Sequence, residues 1–467
     1  MAKINNDDLN AVIGIINSLL NNNGKDFIAV ENILDKLSFK LPKGLKLNEV
    51  LNTGKYQVIS QSKVYSIGFS NNEDLLINKD LPLIAFGDHS KTIKFIDKEF
   101  VIGADGVKLL KTKKDFDSLF VFYFLHGIIT DTKDYGRHFS LLKKGFIPKL
   151  EIKEQKEFVR FLEDTSYKPS IKYIDEIKNH VLKFLKEKKL NKEISSEITH
   201  QLDLIKDLRQ AFLHEAMQGV LVSNETQSGA TGTDLLAEIQ AEKNQLVKEK
   251  KIKKPKTLAP ITEDELPFDI PKNWTWCKVD DISIKIGSGS TPKGSNYSEN
   301  GFPFFRSQNI KNEGLVFDDI KFVSDEVQNQ MIGTQVLAND LLLNITGGSL
   351  GRCALVPNDF NEGNVSQHVC ILRGLKVLPK FYHLLVLSPY FQKLIFSSTT
   401  GAGREGLPKY TLEQFIIPLP PLEIQERIVA KLDELMAVCD ALETQVKQSQ
   451  LTNQQLLQQA LREALGA

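Results

Sequence analysis

The sequence predicts a mixed α+β (α/β) protein with a pseudo-two-fold internal repeat: two similar globular domains, each followed by a long helix. Three observations predict this. From about Pro420 to Ala464, the residues Ile428, Leu432, Leu435, Cys439, Leu442 and Val446 step by four and three. That is the apolar seam of a helix that packs lengthwise on another helix. Phe146–Asp164 then aligns without a gap on Ile416–Glu434, placing Pro148 on Pro418, Gln155 on Gln425, Phe158 on Ile428 and Leu162 on Leu432. Finally, LPLIAFGDHSKTIKFIDKEFVIGADGVKLL and LLLNITGGSLGRCALVPNDFNEGNVSQHVCIL both read as strand, Gly-containing turn, strand, polar turn, strand. A repeat of this size dictates the architecture.

Bulk properties bound the function classes. A chain of 467 residues with 41% hydrophobic and 25% charged residues has the composition of an ordinary soluble protein of two to four domains. Lys plus Arg and Asp plus Glu both number 59. Zero net charge excludes a uniformly basic nucleic-acid binder but permits local basic patches. Cys277, Cys353, Cys370 and Cys439 form no CxxC or Cys/His spacing, so neither zinc nor a disulfide framework is expected, and a reducing cytoplasm is. MAKINNDDLN is too polar for a signal peptide, and no apolar run reaches membrane-spanning length. Leu119–Ile129 is long enough only for a buried helix.

The first globular domain spans residues 1–145. Leu9, Val12, Ile15, Ile16 and Leu19 give residues 6–22 helical spacing, and NNNGK stops that helix. A β-rich stretch follows, with LFVFYFLHG as a helix packed on the sheet. The first helical region, 146–218, is interrupted at Pro169. Its main helix starts near Ile171, and Lys188, Lys189 and Asn191 suggest a break within it. Gly219 is a natural stop. Residues 219–272 read as a linker with a short polar helix and a basic run, Lys248–Lys256, that reads either as a solvated helix end or as a contact for an acidic partner. The second globular domain covers 273–415, with YHLLVLSPYFQKLIFSS helical. The second helical region, 416–467, opens with Pro421 in a first turn, where a missing N–H costs nothing.

Polar turns concentrate the candidate binding residues. In the second domain these are Ser288, Thr291, Lys293 and Asn296 on a glycine-rich loop, then Arg306, Gln308 and Asn309, then Thr346, Ser349 and Arg352, then Arg404 and Lys409. In the first domain they are Gln61, Lys63, Asp88, His89, Ser90, Lys91 and Arg137. Arg, Lys, Gln and Asn can bond base edges, while Ser, Thr and backbone N–H groups hold phosphates. Catalytic readings find less support. ITGGSLG lacks the P-loop lysine, and Gly347, Ser349 and Gly351 match a nucleophile elbow only loosely, with no ordered Asp and His behind them. No catalytic residue and no metal ligand is assigned. Nuclease, helicase and methyltransferase signatures are absent from the sequence.

With these residues in view, the chain resembles the specificity subunit of type I restriction–modification systems. The resemblance is carried by Ile417–Glu443, Leu208–Val222 and Leu236–Val279, and by GSTPKGSNY and GFPFFRSQNI in the second domain. It implies two target recognition domains, each reading one half of a bipartite, asymmetric double-stranded DNA site. It also implies that the two long helices pack antiparallel as a coiled-coil spacer that sets the gap between half-sites. The subunit would be non-catalytic and bind no cofactor. It would recruit two methylation subunits, which use S-adenosylmethionine, and restriction subunits, which use ATP and Mg. DNA modification and host defence in the cytoplasm follow, with no membrane partner. Two alternatives stay open: the specificity subunit of a related fused restriction–methylation system, and a coiled-coil adaptor whose globular domains bind proteins. One departure from symmetry stands out. Gln155 and Ala211 are separated by 56 residues, whereas Gln425 and Ala460 are separated by 35.

Overall fold

The computed structural model describes residues 3–466, apart from 105, 129–137, 255, 293, 295–296 and 399–405. The chain divides into two compact units, Met1–Ile198 with Gln448–Ala467, and Thr199–Lys447.

Each unit carries two four-stranded sheets with the same strand order. In the first unit one sheet runs Leu34–Asp35, Val107–Thr112, Leu83–Gly87, Ile93–Ile96, and the other Phe69–Ser70, Tyr56–Ile59, Phe100–Ile102, Leu76–Ile77. In the second unit the counterparts are Ser283–Ser288, Val369–Gly374, Leu341–Asn344, Cys353–Leu355, and Lys321–Val323, Phe302–Phe305, Glu362–Val365, Gln335–Leu337. The pairing sense matches as well. Only the central pair of each second sheet is parallel, with Ile59 beside Ile102 and Phe305 beside Val365. The repeat expected from the sequence is therefore present as topology.

Period-two alternation explains how these strands bury both faces. Leu341 and Leu343 point into one core with Cys370, Leu372 and the helices Pro379–Leu387 and Pro389–Ser397, while Leu342 joins Phe305, Val365, Val369 and Ile371 between the sheets. Ile84 and Phe86 divide from Leu83 and Ala85 in the same way in the first unit. The segment expected to be one helix after residue 378 is split by Ser388–Pro389, because Pro389 cannot extend the preceding hydrogen-bond ladder.

The two aligned glutamines do identical work. Gln155 and Gln425 are both fully buried. Gln155 Oε1 accepts from the Asp117 N–H (2.7 Å), and its Nε2 donates to the carbonyls of Leu150 (2.8 Å) and Asp115 (3.0 Å). Gln425 Oε1 accepts from the Leu378 N–H (2.9 Å), and its Nε2 donates to the Pro420 carbonyl (2.9 Å). Asp117 and Leu378 each cap a helix on the sheet, so each glutamine fastens its own helix to the neighbouring globular fold.

The long helices are Lys172–Gln218 and Leu422–Leu465. The break expected near Lys188–Asn191 does not occur. No Gly or Pro lies between 172 and 218, and lysine and asparagine are tolerated in helix interiors. The greater length of the first copy is instead taken up earlier. Its helix Ile152–Glu163 ends, and residues 164–171 turn before the long helix starts. Buried Glu157 holds that turn by accepting from the Ser170 N–H (2.9 Å) and hydroxyl (3.0 Å). The second copy lacks the corresponding proline and runs straight on.

Within the first unit the helices pair antiparallel: Lys183 meets Glu463 at 3.0 Å, and Asn191 and Asn453 exchange Nδ2-to-carbonyl bonds of 2.6 and 3.1 Å. Within the second unit Arg209 bridges Asp440 (2.7 Å) and Glu443 (3.0 Å). The predicted seam is buried at Ile428, Leu432 and Cys439, but Leu442 is 40% exposed. At that level the Arg209 ion pairs, not apolar contact, join the helices. Among the described residues no helix is long and apolar enough to cross a membrane. The four cysteines are buried and free.

Candidate nucleic-acid interface

Four strands of the second unit end at one edge. Ser288 sits opposite Cys370, Asn344 opposite Val369, and Phe305 opposite Val365. The segments leaving those ends are laced together. Gly289 N–H donates to the Val369 carbonyl (3.0 Å), Ser366 N–H to Phe305 (3.0 Å), and Ile345 N–H to His368 (3.0 Å). Thr291 Oγ1 bonds Gln367 Oε1, and Thr346 Oγ1 lies 2.7 Å from His368 Nδ1. Gly289 is required here: a Cβ would fall 1.8 Å from the Val365 carbonyl oxygen. The result is a polar rim that collects Ser288, Thr291, Arg306, Gln308, Thr346 and Ser349 from distant parts of the sequence.

Arg306 does not hang free at this rim. Its Nη2 donates to the Asp319 carbonyl (2.7 Å) and Oδ2 (3.1 Å), and Gln308 Nε2 donates to the same Oδ2 (3.0 Å). The bonds from Gln308 and Arg306 hold the Asp319 carboxyl below the usual carboxylate range. Asp319 remains 67% exposed. One carboxylate thus orients the two longest donors of the rim.

The first unit builds the counterpart. Ser60 and Gln61 follow strand Tyr56–Ile59, and Asp88, His89 and Ser90 follow strand Leu83–Gly87. Gln61, His89 and Ser90 line one cavity of about 550 Å³ with Leu45, Leu47 and Ala104. Buried Lys94 donates to the carbonyls of Ser60 (2.7 Å) and Val64 (2.6 Å), fixing the loop that carries Gln61 and exposed Lys63. Burial pushes that ammonium down. Gly106, at φ +74°, leaves room for the Gln61 amide, whose Oε1 would lie 2.7 Å from a Cβ there.

Two sequence-based assignments are corrected. Asp88 is 5% exposed, and its Oδ1 accepts from the Phe139 N–H (2.8 Å) at the start of a helix. A buried carboxylate committed to backbone fixes the loop that carries His89 and Ser90. Asn309 is fully buried: Oδ1 accepts from Arg306 N–H (3.1 Å), and Nδ2 donates to the carbonyls of Val316 (3.0 Å) and Asp318 (3.3 Å). It staples the Arg306 loop to the Asp319 loop. Lys409 lies apart from the rim, on the short helix Lys409–Glu413, 3.2 Å from Glu413. Lys91 stands in the turn after Ser90 at φ +58°, and Arg352 is exposed just after the Ser349 turn. Arg137, Lys293, Asn296 and Arg404 lie outside the described residues. Sequence reading missed Asp319, Gln367 and His368. The polar triplet Ser366–His368, just before the apolar strand Val369–Gly374, was the signal available for the last two.

Buried polar atoms without a partner are concentrated at these edges. Among the described residues they are Gln61 Oε1, Arg306 Nε, Asn344 Oδ1 and Ser366 Oγ at the rims, and Asn17 Oδ1 and His126 Nε2 elsewhere. Native folds pair nearly all such groups, so four at the rims leave hydrogen-bonding capacity there that the fold itself does not use. No group of three His, Cys, Asp or Glu among the described residues could hold a metal ion.

Residues 271–453, which hold the second rim and most of the helix behind it, match the family model described as type I restriction modification DNA specificity domain. This part of the chain is similar to that family's domain. The type I restriction enzyme EcoAI specificity subunit of Escherichia coli is 29% identical over 255 residues, covering 52% of this chain and 42% of the relative. The EcoEI specificity subunit of Escherichia coli is 30% identical over 266 residues, covering 55% of this chain and 43% of the relative. The chain therefore matches about two-fifths of the length of these curated relatives. Among solved structures, the HsdS subunit from Thermoanaerobacter tengcongensis is 16% identical, with a TM-score of 0.43 covering 95% of this chain and 96% of that one. Outside the matched residues, the first unit repeats the family domain's strand order, as the sheets above describe.

Proposed function

We propose that this chain is the DNA-reading subunit of a type I restriction–modification assembly. Its two globular domains would each engage one half of a split double-stranded site. The observation that carries this reading is the duplicated strand-end rim, with unpaired buried donors and acceptors, inside a chain whose second copy matches the model of a DNA specificity domain. A rim of Arg, Gln, Ser, Thr and His side chains on a rigid sheet edge suits groove edges and phosphates. The chain itself would perform no chemistry. S-adenosylmethionine, ATP and Mg would belong to the methylation and restriction subunits that it brings to the site. Two domain copies suit two methylation subunits, and the paired helices suit a spacer between half-sites.

The test is selection from a random duplex library with the full chain and its methylation partner. A split motif is expected. Replacing residues 273–415 with the matching domain of a relative should change one half of that motif and leave the other intact. An unchanged motif would remove the reading role from this domain. Finer resolution comes from Arg306→Ala and Asp319→Ala. Both should relax preference at the same single base position, Arg306→Ala by about 1–3 kcal/mol and Asp319→Ala by less, since it loses only the orientation of Arg306. Identical selection profiles for both variants and the parent would dismiss Arg306 as a base contact.

A further inference from the structure

The basic run of the linker is not a loose tail. Helix Gly232–Lys248 ends at Lys250 in the left-handed region (φ +59°), and Lys251 N–H returns to the Leu246 carbonyl (2.9 Å). Farther along, the buried Lys278 ammonium donates to the Ala259 carbonyl (2.8 Å). Held at both ends, the run forms one wall of a groove of about 1010 Å³. Strand Ser283–Ser288, with Lys285, and Lys409 also line it.

The charge of this groove is unbalanced. Lys409 has Glu413 at 3.2 Å, Lys251 has Glu249 at 2.8 Å, and Lys243 has Asp280 at 3.8 Å. Among the described residues Lys253, Lys254 and Lys256 are exposed with no acid within ion-pair distance, and the bonded partner of the Lys285 ammonium is a carbonyl, that of Gln335 at 3.0 Å. The guanidinium beside it, Arg373, is spent on Asp340 through bonds of 2.7 and 2.8 Å. Three ammonium groups thus line one groove without an acid partner, and a fourth, Lys285, has only the more distant Asp340, which Arg373 already occupies.

We propose that this groove binds the phosphodiester backbone of DNA, as a clamp separate from the base-reading rim. This rests on the reading of the chain as a DNA-recognition subunit. Position favours a nucleic acid over an acidic protein segment. The groove is lined by Lys285, Ile286 and Gly287, and Ser288 of the rim follows on the same strand, so groove and strand end are within about 10 Å along the chain. Over such a distance one strand of a duplex carries roughly three phosphates, so DNA held at the strand end reaches the groove with its backbone. Burial and the nearby Arg373 push the Lys285 ammonium down to about 8, which a bound phosphate would reverse.

The experiment compares the full chain with a Lys253→Gln, Lys254→Gln, Lys256→Gln variant. A matched control removes Lys172, Lys189 and Lys192 from the long helix. Binding is measured by fluorescence anisotropy across a salt series, with the duplex selected by the parent protein and with a random duplex. The linker variant should lose on the order of tenfold in affinity for both duplexes, with the log affinity against log salt slope shallower by up to about 2.7. Its preference between duplexes should equal that of the parent, and the control should behave as the parent. An unchanged slope overturns the clamp, as does a changed preference, which would make these lysines base readers. A separate arm titrates inorganic phosphate by calorimetry. Saturable phosphate binding that the variant loses while its DNA slope stays intact also overturns the proposal, assigning the groove to free phosphate. If the parent binds DNA with a lysine-dependent slope but no preference, the clamp stands and the recognition reading falls. If the parent binds no duplex, both fall. If an acidic peptide displaces nothing while DNA binds, the protein-docking alternative is removed and the clamp is supported.

Discussion

Gln155→Leu is expected to destabilise the first unit by about 3–5 kcal/mol. Leucine nearly conserves the volume, so the loss is not a cavity effect. It comes from one N–H, at Asp117, and two carbonyls, at Asp115 and Leu150, left unpaired in a fully buried place. Each orphaned group costs about 1–3 kcal/mol, partly relieved by relaxation. Urea titration followed by circular dichroism measures the change. Gln459→Leu, on an exposed helix face, serves as the comparison and should stay within about 0.5 kcal/mol of the parent. A loss below 1 kcal/mol for Gln155→Leu would mean that the clasp adds little. The helix that Gln155 opens is docked through this side chain, so the variant should also loosen amide protection at Asp117 and in the helix after it.

Arg373→Leu is expected to cost a similar amount in the second unit, about 3–5 kcal/mol. Its guanidinium grips Asp340 in a two-pronged bond, and Asp340 is fully buried. Deleting the cation leaves a buried carboxylate whose remaining bond is from the Leu337 N–H (2.8 Å) and which has no ion pair, only the more distant charge of Lys285. The double replacement Arg373→Leu with Asp340→Leu should regain most of the loss, since burying two apolar groups is far cheaper than burying one lone charge. A double variant no more stable than the single one would assign the cost to packing around residue 373. This pair matters to function because it holds strand Val369–Gly374, whose first residues border the rim, against the turn before strand Leu341–Asn344.

The repeat was legible because it is written in local chemistry. An apolar residue every three or four positions, a proline opening a helix and a glutamine seven residues after Pro148 and Pro418 all recur within short windows. Strand patterning survived for the same reason, since alternation at Leu341–Leu343 and Leu83–Phe86 reflects burial on both faces. The unbroken helix from Lys172 to Gln218 was harder to see. Polar residues in its middle look like a break, yet their partners lie on the other long helix, more than 250 positions away at Asn453.

The binding residues were legible as types but not as partners. Asp88, Asn309 and Arg306 are all polar turn residues in sequence. Folding makes Asp88 a backbone cap, Asn309 a staple between two loops, and Arg306 a donor held by Asp319. Those differences depend on which carbonyl or carboxylate lies within about 3 Å, a quantity set by strand register. By itself, then, the sequence determined a two-fold repeat of sheet domain and helix, the matched positions of the two glutamines and the polar character of the strand ends, because each follows from periodicity or residue chemistry within a short window. Tertiary structure alone decided which polar side chains are spent on the fold and which face outward, and that the lysines of the linker share a groove with Lys285, because hydrogen bonding and charge balance are settled between segments that only the packed sheets bring together.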